Sequence, residues 1–243
     1  MIDIHCHILP DFDDGASDLD EALEMTEMAA NSGVTDIIAT PHFRGELDFL
    51  DNQIIIERRF QTLSSAIRQA GIPVRLHLGA EILCLPETAK LAASHQLPTL
   101  ANTSYTLIEF YFNESFSFMD DMLFRIAECG YKPVIAHPER YNTIQRDPAL
   151  LHRWIDLGYV LQLNKGSILG DLGYRAEQTA NEILSMGLAH VFASDAHHGY
   201  TRTPHMGSLR HWVSEFCDPG YAEALLRENP ERILRNQSLS DIL

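Results

Sequence analysis

Two pairs of ligand-type residues, each with one residue between, stand near opposite ends of the chain: His5-Cys6-His7 and Asp195-Ala196-His197. In an extended strand, residues i and i+2 share a side. Each pair can therefore present both of its groups to one cation, while Cys6 points away as a packed thiol. Between the pairs, single residues of the same kind recur. Asp14 lies in the loop Asp11-Phe12-Asp13-Asp14-Gly15, His42 ends Thr40-Pro41-His42, and Glu81 ends Gly79-Ala80-Glu81. Glu109 interrupts the apolar run Leu107-Ile108-Glu109-Phe110, and His137 opens His137-Pro138-Glu139-Arg140. A carboxylate in such an apolar run costs several kcal/mol unless it is paired or metal-bound. Imidazoles and carboxylates without thiolate suit zinc, manganese or ferrous iron. Nine groups are too many for one ion, and a bridging carboxylate such as Glu81 would let them hold two or three. Four carboxylates against three divalent ions leave a local charge of about +2, which admits an anion. Arg140 follows His137 by three residues, and Arg202 lies in the segment from His198 to His205. A guanidinium fork matches phosphate oxygens.

These residues need a scaffold that gathers distant segments. Short β-branched runs alternate with amphipathic helical stretches along the chain. Strands are predicted at Met1–His5, Val34–Thr40, Val74–Ala80, Tyr105–Tyr111, Pro133–Ala136, Tyr159–Leu163 and His190–Ser194. Helices are predicted at Asp18–Ser32, Asp51–Gln69, from about Glu87, Phe118–Cys129, Pro148–Leu157 and Tyr174–Met186, with Pro230 in the first turn of the last. Asp18 is a suitable N-cap, and Gly33 a suitable stop. Leu19, Ala22, Leu23, Thr26, Ala29 and Ala30 would form the buried face of the first helix. Strands each followed by a helix imply a parallel sheet, open or closed as a barrel. Six of the seven strand ends carry His, Asp or Glu. That favours the barrel, which collects the C-terminal ends of its strands on one face. The sixth strand ends instead in Gln162 and Asn164, which are expected to hydrogen-bond.

Composition removes several classes. The chain has 243 residues and a formal charge of −16, with no basic run, so extended nucleic-acid binding is disfavoured. No apolar run approaches the roughly 20 residues of a membrane helix, and no signal peptide is recognisable. Cys6, Cys84, Cys129 and Cys217 are scattered, so disulfides are not expected and a cytoplasmic location fits. No linker or repeat divides the chain, and residues 1–243 read as one domain.

Taken together, these motifs resemble the PHP (polymerase and histidinol phosphatase) superfamily. Within it the chain is similar to the bacterial metal-dependent tyrosine-protein phosphatases of CpsB/CapC type. The resemblance runs from residue 1 to about Arg235 and includes Gln162-Leu163-Asn164-x-Gly166-Ser167 and Glu228-Asn229-Pro230. It implies an α/β fold, a distorted (β/α)7 TIM-like barrel, and three divalent ions, manganese foremost and iron or zinc otherwise. By this resemblance His5, His7, Glu81 and Asp195 would hold one ion, Glu81, Glu109 and His137 a second, and Asp14, His42 and His197 the third. The implied substrate is phosphotyrosine in the C-terminal tail of a partner tyrosine kinase controlling capsule or exopolysaccharide synthesis. One departure is Arg202-Thr203-Pro204, where many relatives have Arg-Pro-Pro.

The chemistry then expected is direct attack of a hydroxide on phosphorus, with Arg140 and Arg202 on the phosphoryl oxygens. His205 is a candidate proton donor to the leaving phenolate. A cysteine-based phosphatase needs Arg six residues after the nucleophile, but Phe12, Lys90, Ile135 and Glu223 stand there. Competing readings are a histidinol-phosphate or other small-molecule phosphoesterase, an amidohydrolase, and a non-catalytic metal-binding or docking module. An amidohydrolase would want a strand-four lysine, which is missing. Among aromatic residues near the rim, Phe12, Phe43, Phe49, Tyr111, Phe112 and Tyr141 could each stack on a phosphotyrosine or pack in the core. His77, His95, His152, His190 and His211 are expected to be structural or solvated.

Overall fold

The computed structural model describes residues 1–239, the side chains of residues 46–51 excepted. Phe49 therefore lies outside the described side chains. The aliphatic runs form nine strand segments: β1 (Ile2–Cys6), β2 (Asp36–Ala39), β3 (His42–Phe43), β4 (Arg75–Leu78), β5 (Glu81–Leu83), β6 (Tyr105–Glu109), β7 (Lys132–Ala136), β8 (Val160–Asn164) and β9 (Val191–Ala193). All ladders are parallel, in the orders β1-β2-β4 and β3-β5-β6-β7-β8-β9.

The second and third predicted strands appear as β2 and β4, and each resumes after a break, beyond its predicted end, as β3 and β5. Pro41 has no N–H to give a ladder. At Gly79 a Cβ would sit 2.9 Å from both Ile38 Cγ2 and Leu100 Cδ2, so a larger residue would have to displace both methyl groups. The halves remain joined across the breaks by Gly79 N–H to Ala39 O (2.8 Å) and Glu81 N–H to Pro41 O (3.1 Å). β1 meets the end of β9 through Asp195 N–H to His5 O (2.9 Å) and His7 N–H to Ala196 O (2.8 Å). The strands thus make a seven-membered ring with one seam. There, among the described residues, β4 has no strand partner beyond β2, and the short turn Leu100–Asn102 packs against it.

The core has two layers, separated by the period of two along each strand. Ile38, Leu107, Val134, Val160 and Val191 pack inside the ring. Their neighbours Ile37, Ile108, Ile135, Leu161 and Phe192 face the helices. The helix Leu19–Asn31 starts where Asp18 Oδ1 accepts from Glu21 N–H (2.9 Å). It buries Ala22, Met25, Thr26 and Ala29, while Leu19, Leu23 and Ala30 are only partly covered. The buried stripe is thus turned toward Met25 relative to the expected face. Pro230 does fall in the first turn of Asn229–Leu234. The four cysteines are free thiols. No helix among the described residues is long and apolar enough to cross a membrane.

Candidate metal centre

Continuing the inward alternation past the strand ends brings His42, Glu109 and Asp195 over the ring. It also brings Gln162 and Asn164 there. His5 and His7 need a device, because Ile2 and Ile4 already occupy the inward positions of β1. The β1–β2 register shifts between Asp3 and Cys6. Asp3 Oδ1 accepts there from His5 N–H (3.3 Å) and Ser194 N–H (3.0 Å). Such an irregularity re-aims the side chains beyond it. His137 is re-aimed by a left-handed residue, φ 36°. Asp195 (φ 48°) and Arg202 (φ 46°) share that strained conformation, so three rim residues hold backbone angles that only surrounding structure can enforce.

Glu81 sits at the centre. Its Oε1 lies 2.9 Å from His137 Nε2 and 3.2 Å from His5 Nε2, and its Oε2 lies 3.1 Å from His7 Nε2 and 3.2 Å from His42 Nδ1. Asp195 Oδ1 is 3.5 Å from His5 Nε2 and 3.7 Å from both His7 Nε2 and His197 Nδ1. Asp14 Oδ1 is 3.3 Å from His42 Nε2 and 3.5 Å from His197 Nε2. Glu109 reaches His42 Nδ1 at 3.4 Å and His137 Nε2 at 4.0 Å. All nine sequence-predicted groups are thus brought together. Among the described residues, three sets have donor atoms within 4.8 Å of one another: His5, His7 and Glu81; His42, Glu81 and Glu109; and His7, Asp14, His42 and His197. The partition differs in detail from the one the resemblance implies, since His42 adjoins the Glu81–Glu109 pair and His7 joins the Asp14 set.

The chemistry of this donor set fits divalent cations. His5 Nδ1 lies 2.9 Å from Gln162 Oε1, and His7 Nδ1 lies 2.9 Å from Asp13 Oδ2. Both partners are acceptors, so each Nδ1 carries a hydrogen. In the neutral rings the Nε2 lone pairs then face each other at 3.3 Å, with the Glu81 and Asp195 oxygens beside them. Lone pairs converging in this way need a positive charge between them, whether protons or metal. Among the described residues, the buried Nδ1 of His137 has no hydrogen-bond partner, and that of His42, though near Glu81, makes no aligned hydrogen bond.

With protons alone as the positive charge, burial opposes charging His5, but Glu81 and Asp195 outweigh it and raise its pKa to about 9. His7 is likewise raised well above the usual value, its burial overcome by Asp13 and Glu81. Burial would raise Asp13, yet the His7 bond brings it down to about 2. Glu81 and Asp195 are held low by surrounding imidazoles, and by Arg202 at Asp195, against their own burial. His197 goes the other way, to about 4, through burial and the charge on His7.

A second ring of contacts orients the first. Gln162 Nε2 donates to Asn164 Oδ1 (2.7 Å), and Asn164 Nδ2 donates to Asp195 Oδ2 (2.5 Å). Glu139 Oε1 accepts from Asn164 N–H (2.9 Å) and Ser167 Oγ (2.6 Å). Asp13 also accepts from His42 N–H (3.0 Å) and Gly15 N–H (3.1 Å). Gly15 passes so close to His7 that a Cβ would lie 2.0 Å from His7 O. Gln162 and Asn164 behave as expected. The importance of Asp13, Glu139 and Lys165 escaped residue-type reasoning. Asp13 adjoins Asp14, and only the direction of each carboxyl tells the ligand-type group from the orienting one.

Arg202 Nη2 lies 2.6 Å, and Arg140 Nη1 3.5 Å, from Asp195 Oδ2. The Arg140 guanidinium also covers the Phe112 ring, 4.4 Å from its centroid. The loop carrying Arg202 is tied down by His197 N–H to Arg202 O (2.9 Å). The buried Lys165 ammonium donates to Thr203 O and to His205 O (3.3 Å) on the same loop. His205 is not brought to the cluster. Its exposed ring folds over Gly207, and no hydrogen bond or ion pair among the described residues reaches it. Its expected role as proton donor therefore finds no support in the contacts among the described residues. Phe43, Phe110 and Tyr141 are core residues, and the Tyr141 hydroxyl donates to Ala136 O (2.8 Å) and accepts from Phe110 N–H. Phe12 is partly buried against the core. Of the remaining histidines, His77 lies 2.9 Å from Asp36, and His190 Nδ1 accepts from Leu161 N–H (3.1 Å).

Fold and rim together define a parallel α/β barrel of the metal-dependent hydrolase class, with imidazoles and carboxylates gathered at the C-terminal ends of its strands. The chain belongs to the CpsB/CapC family of capsular polysaccharide synthesis, whose family model matches residues 1–235. It is 35% identical over 239 residues to the tyrosine-protein phosphatase YwqE of Bacillus subtilis, covering 98% of this chain and 93% of that protein. It is 30% identical to the tyrosine-protein phosphatase CpsB of Streptococcus agalactiae serotype III, covering 97% and 99%. Among solved structures it superposes, with a TM-score of 0.88 and 34% identity over 99% and 96% of the two chains, on one from a study of B. subtilis YwqE and Streptococcus pneumoniae CpsB, described there as metal-dependent tyrosine phosphatases.

Proposed function

We propose that this chain is a metal-dependent protein-tyrosine phosphatase acting, as one domain in the cytoplasm, on the phosphorylated tail of a bacterial tyrosine kinase that controls capsule or exopolysaccharide synthesis. The observation that carries the reading is the convergence of four imidazoles on the two oxygens of Glu81, with two arginines meeting at Asp195 beside them. The relatives named above support the substrate class.

Three divalent ions, manganese foremost and iron or zinc otherwise, would be held by His5, His7, Glu81 and Asp195, by Glu81, Glu109 and His137, and by Asp14, His42 and His197. Bound there, such ions supply Lewis acidity and lower the pKa of water. Arg140 and Arg202 bind the non-bridging phosphoryl oxygens and offset their charge as the P–O bond to the phenol breaks. Gln162 and Asp13 hold the Nδ1 hydrogens of His5 and His7, which keeps each Nε2 lone pair aimed inward. Asn164 fixes Asp195 from the opposite side. Attack by water on phosphorus needs no nucleophilic side chain, and none of the four cysteines has the arginine spacing of a thiol phosphatase.

The test is phosphate release by manganese-loaded protein from a phosphotyrosyl peptide, a phosphoseryl peptide and histidinol phosphate. The phosphotyrosyl peptide should be the best substrate, and labelled water should appear in the phosphate with no phosphoenzyme trapped. Asp195→Ala or His197→Ala should abolish turnover while the chain stays folded. Turnover of histidinol phosphate alone, or full activity in either variant, would overturn the reading.

A further inference from the structure

Beside the cluster lies a cleft of about 340 Å³, lined by His42, Glu109, Arg44, Leu83, Tyr111 and Phe112 among others. His42 and Glu109 belong to the candidate metal centre, so the cleft opens directly onto it. Its other wall carries two large aromatic side chains that the fold leaves uncovered: Tyr111 is 54% and Phe112 43% exposed. The remaining rim aromatics have core duties, as Phe110 and Tyr141 are buried. Phe112 is nonetheless held in place. Arg140 covers one of its faces, and it meets His137 edge-on at 6.1 Å and Tyr141 at 6.4 Å between ring centroids. The same arginine that faces the phosphoryl position thus also fixes an exposed ring beside it.

We infer that Tyr111 and Phe112 form an aryl subsite, which takes the phenyl ring of the substrate and makes the centre prefer aryl over alkyl phosphoesters. This rests on the reading of the site as a tyrosine phosphatase. A phosphoryl group between Arg140 and the cluster leaves its ester substituent at the mouth, where the cleft begins. An aromatic substituent there gains ring–ring contact, and its apolar surface leaves water. A methyl substituent is too small to fill the same space. The Tyr111 hydroxyl has no hydrogen bond among the described residues, so the ring is not tied to the fold through it.

The test uses two phosphonates that share the PO₃ group and differ only in the substituent. Binding of phenylphosphonate and methylphosphonate to manganese-loaded protein is measured by calorimetry for the unsubstituted chain, Tyr111→Ala and Phe112→Leu. Any disturbance of Arg140 affects both ligands and cancels in their ratio. The unsubstituted protein should favour phenylphosphonate, and each variant should cut that preference by up to about tenfold. Equal affinity for the two ligands in the unsubstituted protein, or an unchanged ratio in both variants, overturns the aryl subsite. Phosphotyrosyl-peptide turnover, measured in parallel, reports separately on the phosphatase reading. Turnover with an unchanged phosphonate ratio sinks only the subsite, whereas a lost ratio preference without any turnover sinks only the phosphatase.

Discussion

Asp13→Asn separates orienting a ligand from being one. Asp13 is not among the nine converging groups, yet its Oδ2 lies 2.9 Å from His7 Nδ1 and it accepts from two backbone N–H groups as well. The amide keeps the shape but loses the charge, and either face it turns to His7 disturbs a contact. With its oxygen toward His7 the bond is weaker, and with its nitrogen there two hydrogens oppose each other. His7 is then free to adopt the wrong tautomer, in which Nε2 carries the hydrogen and cannot ligate. Loss of such an outer partner typically weakens metal binding by about 10- to 100-fold, or about 1.4–2.7 kcal/mol. The metal-free protein should also change. Asp13 sits at about 2 rather than its ordinary 3.8, and a shift of that size corresponds to about 2 kcal/mol of stability at neutral pH. Because the folded value is the lower one, that stability is present above pH 4 and lost as pH falls toward 2. Chelator competition should show weakened manganese affinity, and denaturant unfolding of metal-free protein should show both the loss at pH 7 and a shallower acid decline. Excess manganese should restore much of the activity. A folded variant with unchanged manganese affinity would refute the orienting role.

Three further outcomes follow from other contacts. Lys165→Met removes the ammonium that ties Thr203 O and His205 O. The Arg202 loop should loosen and kcat/KM for phosphotyrosyl peptide should fall by about 10- to 100-fold, with manganese affinity unchanged; an unaltered kcat/KM contradicts the tie. His190 is lowered to about 4 by burial, so the unfolded chain takes up a proton first as pH falls below 6.5. Stability should therefore decline between pH 6.5 and 4 by up to about 3 kcal/mol. His190→Asn, which can still accept from Leu161 N–H, should flatten that decline in denaturant titrations, and an unchanged slope would exclude His190 as its source. Gly15→Ala forces a Cβ against His7 O. It should cost several kcal/mol and displace Asp13 and Asp14 together, visible as joint loss of thermal stability and manganese binding.

Much of this centre is legible in one dimension because strands have a period of two. Once Leu107 and Val191 are placed inside, Glu109 and Asp195 follow by counting. His5, His7 and His137 break that count, and they were recognisable by type and spacing rather than by direction. The register shift in β1 and the left-handed His137 depend on partners such as Asp3 with Ser194, which lie almost the whole chain apart. The interruptions at Pro41 and Gly79 were visible as residues. Their consequence, a ring with a seam plugged by Leu100, depends on a segment with no strand pattern of its own. His205 was singled out by its closeness to Arg202 in sequence, which does not by itself fix where the ring points.

The hydrogen bonds that close the ring join His5 and His7 to Asp195 and Ala196, groups about 190 residues apart in sequence. They are also the bonds that set the first and last ligand pairs side by side. Emerging from the ribosome, His5 and His7 must wait for about 190 further residues before their carboxylate counterparts arrive. A nascent or truncated chain therefore offers only scattered, low-affinity donors, and tight cation capture becomes a late event that reports completion of the fold.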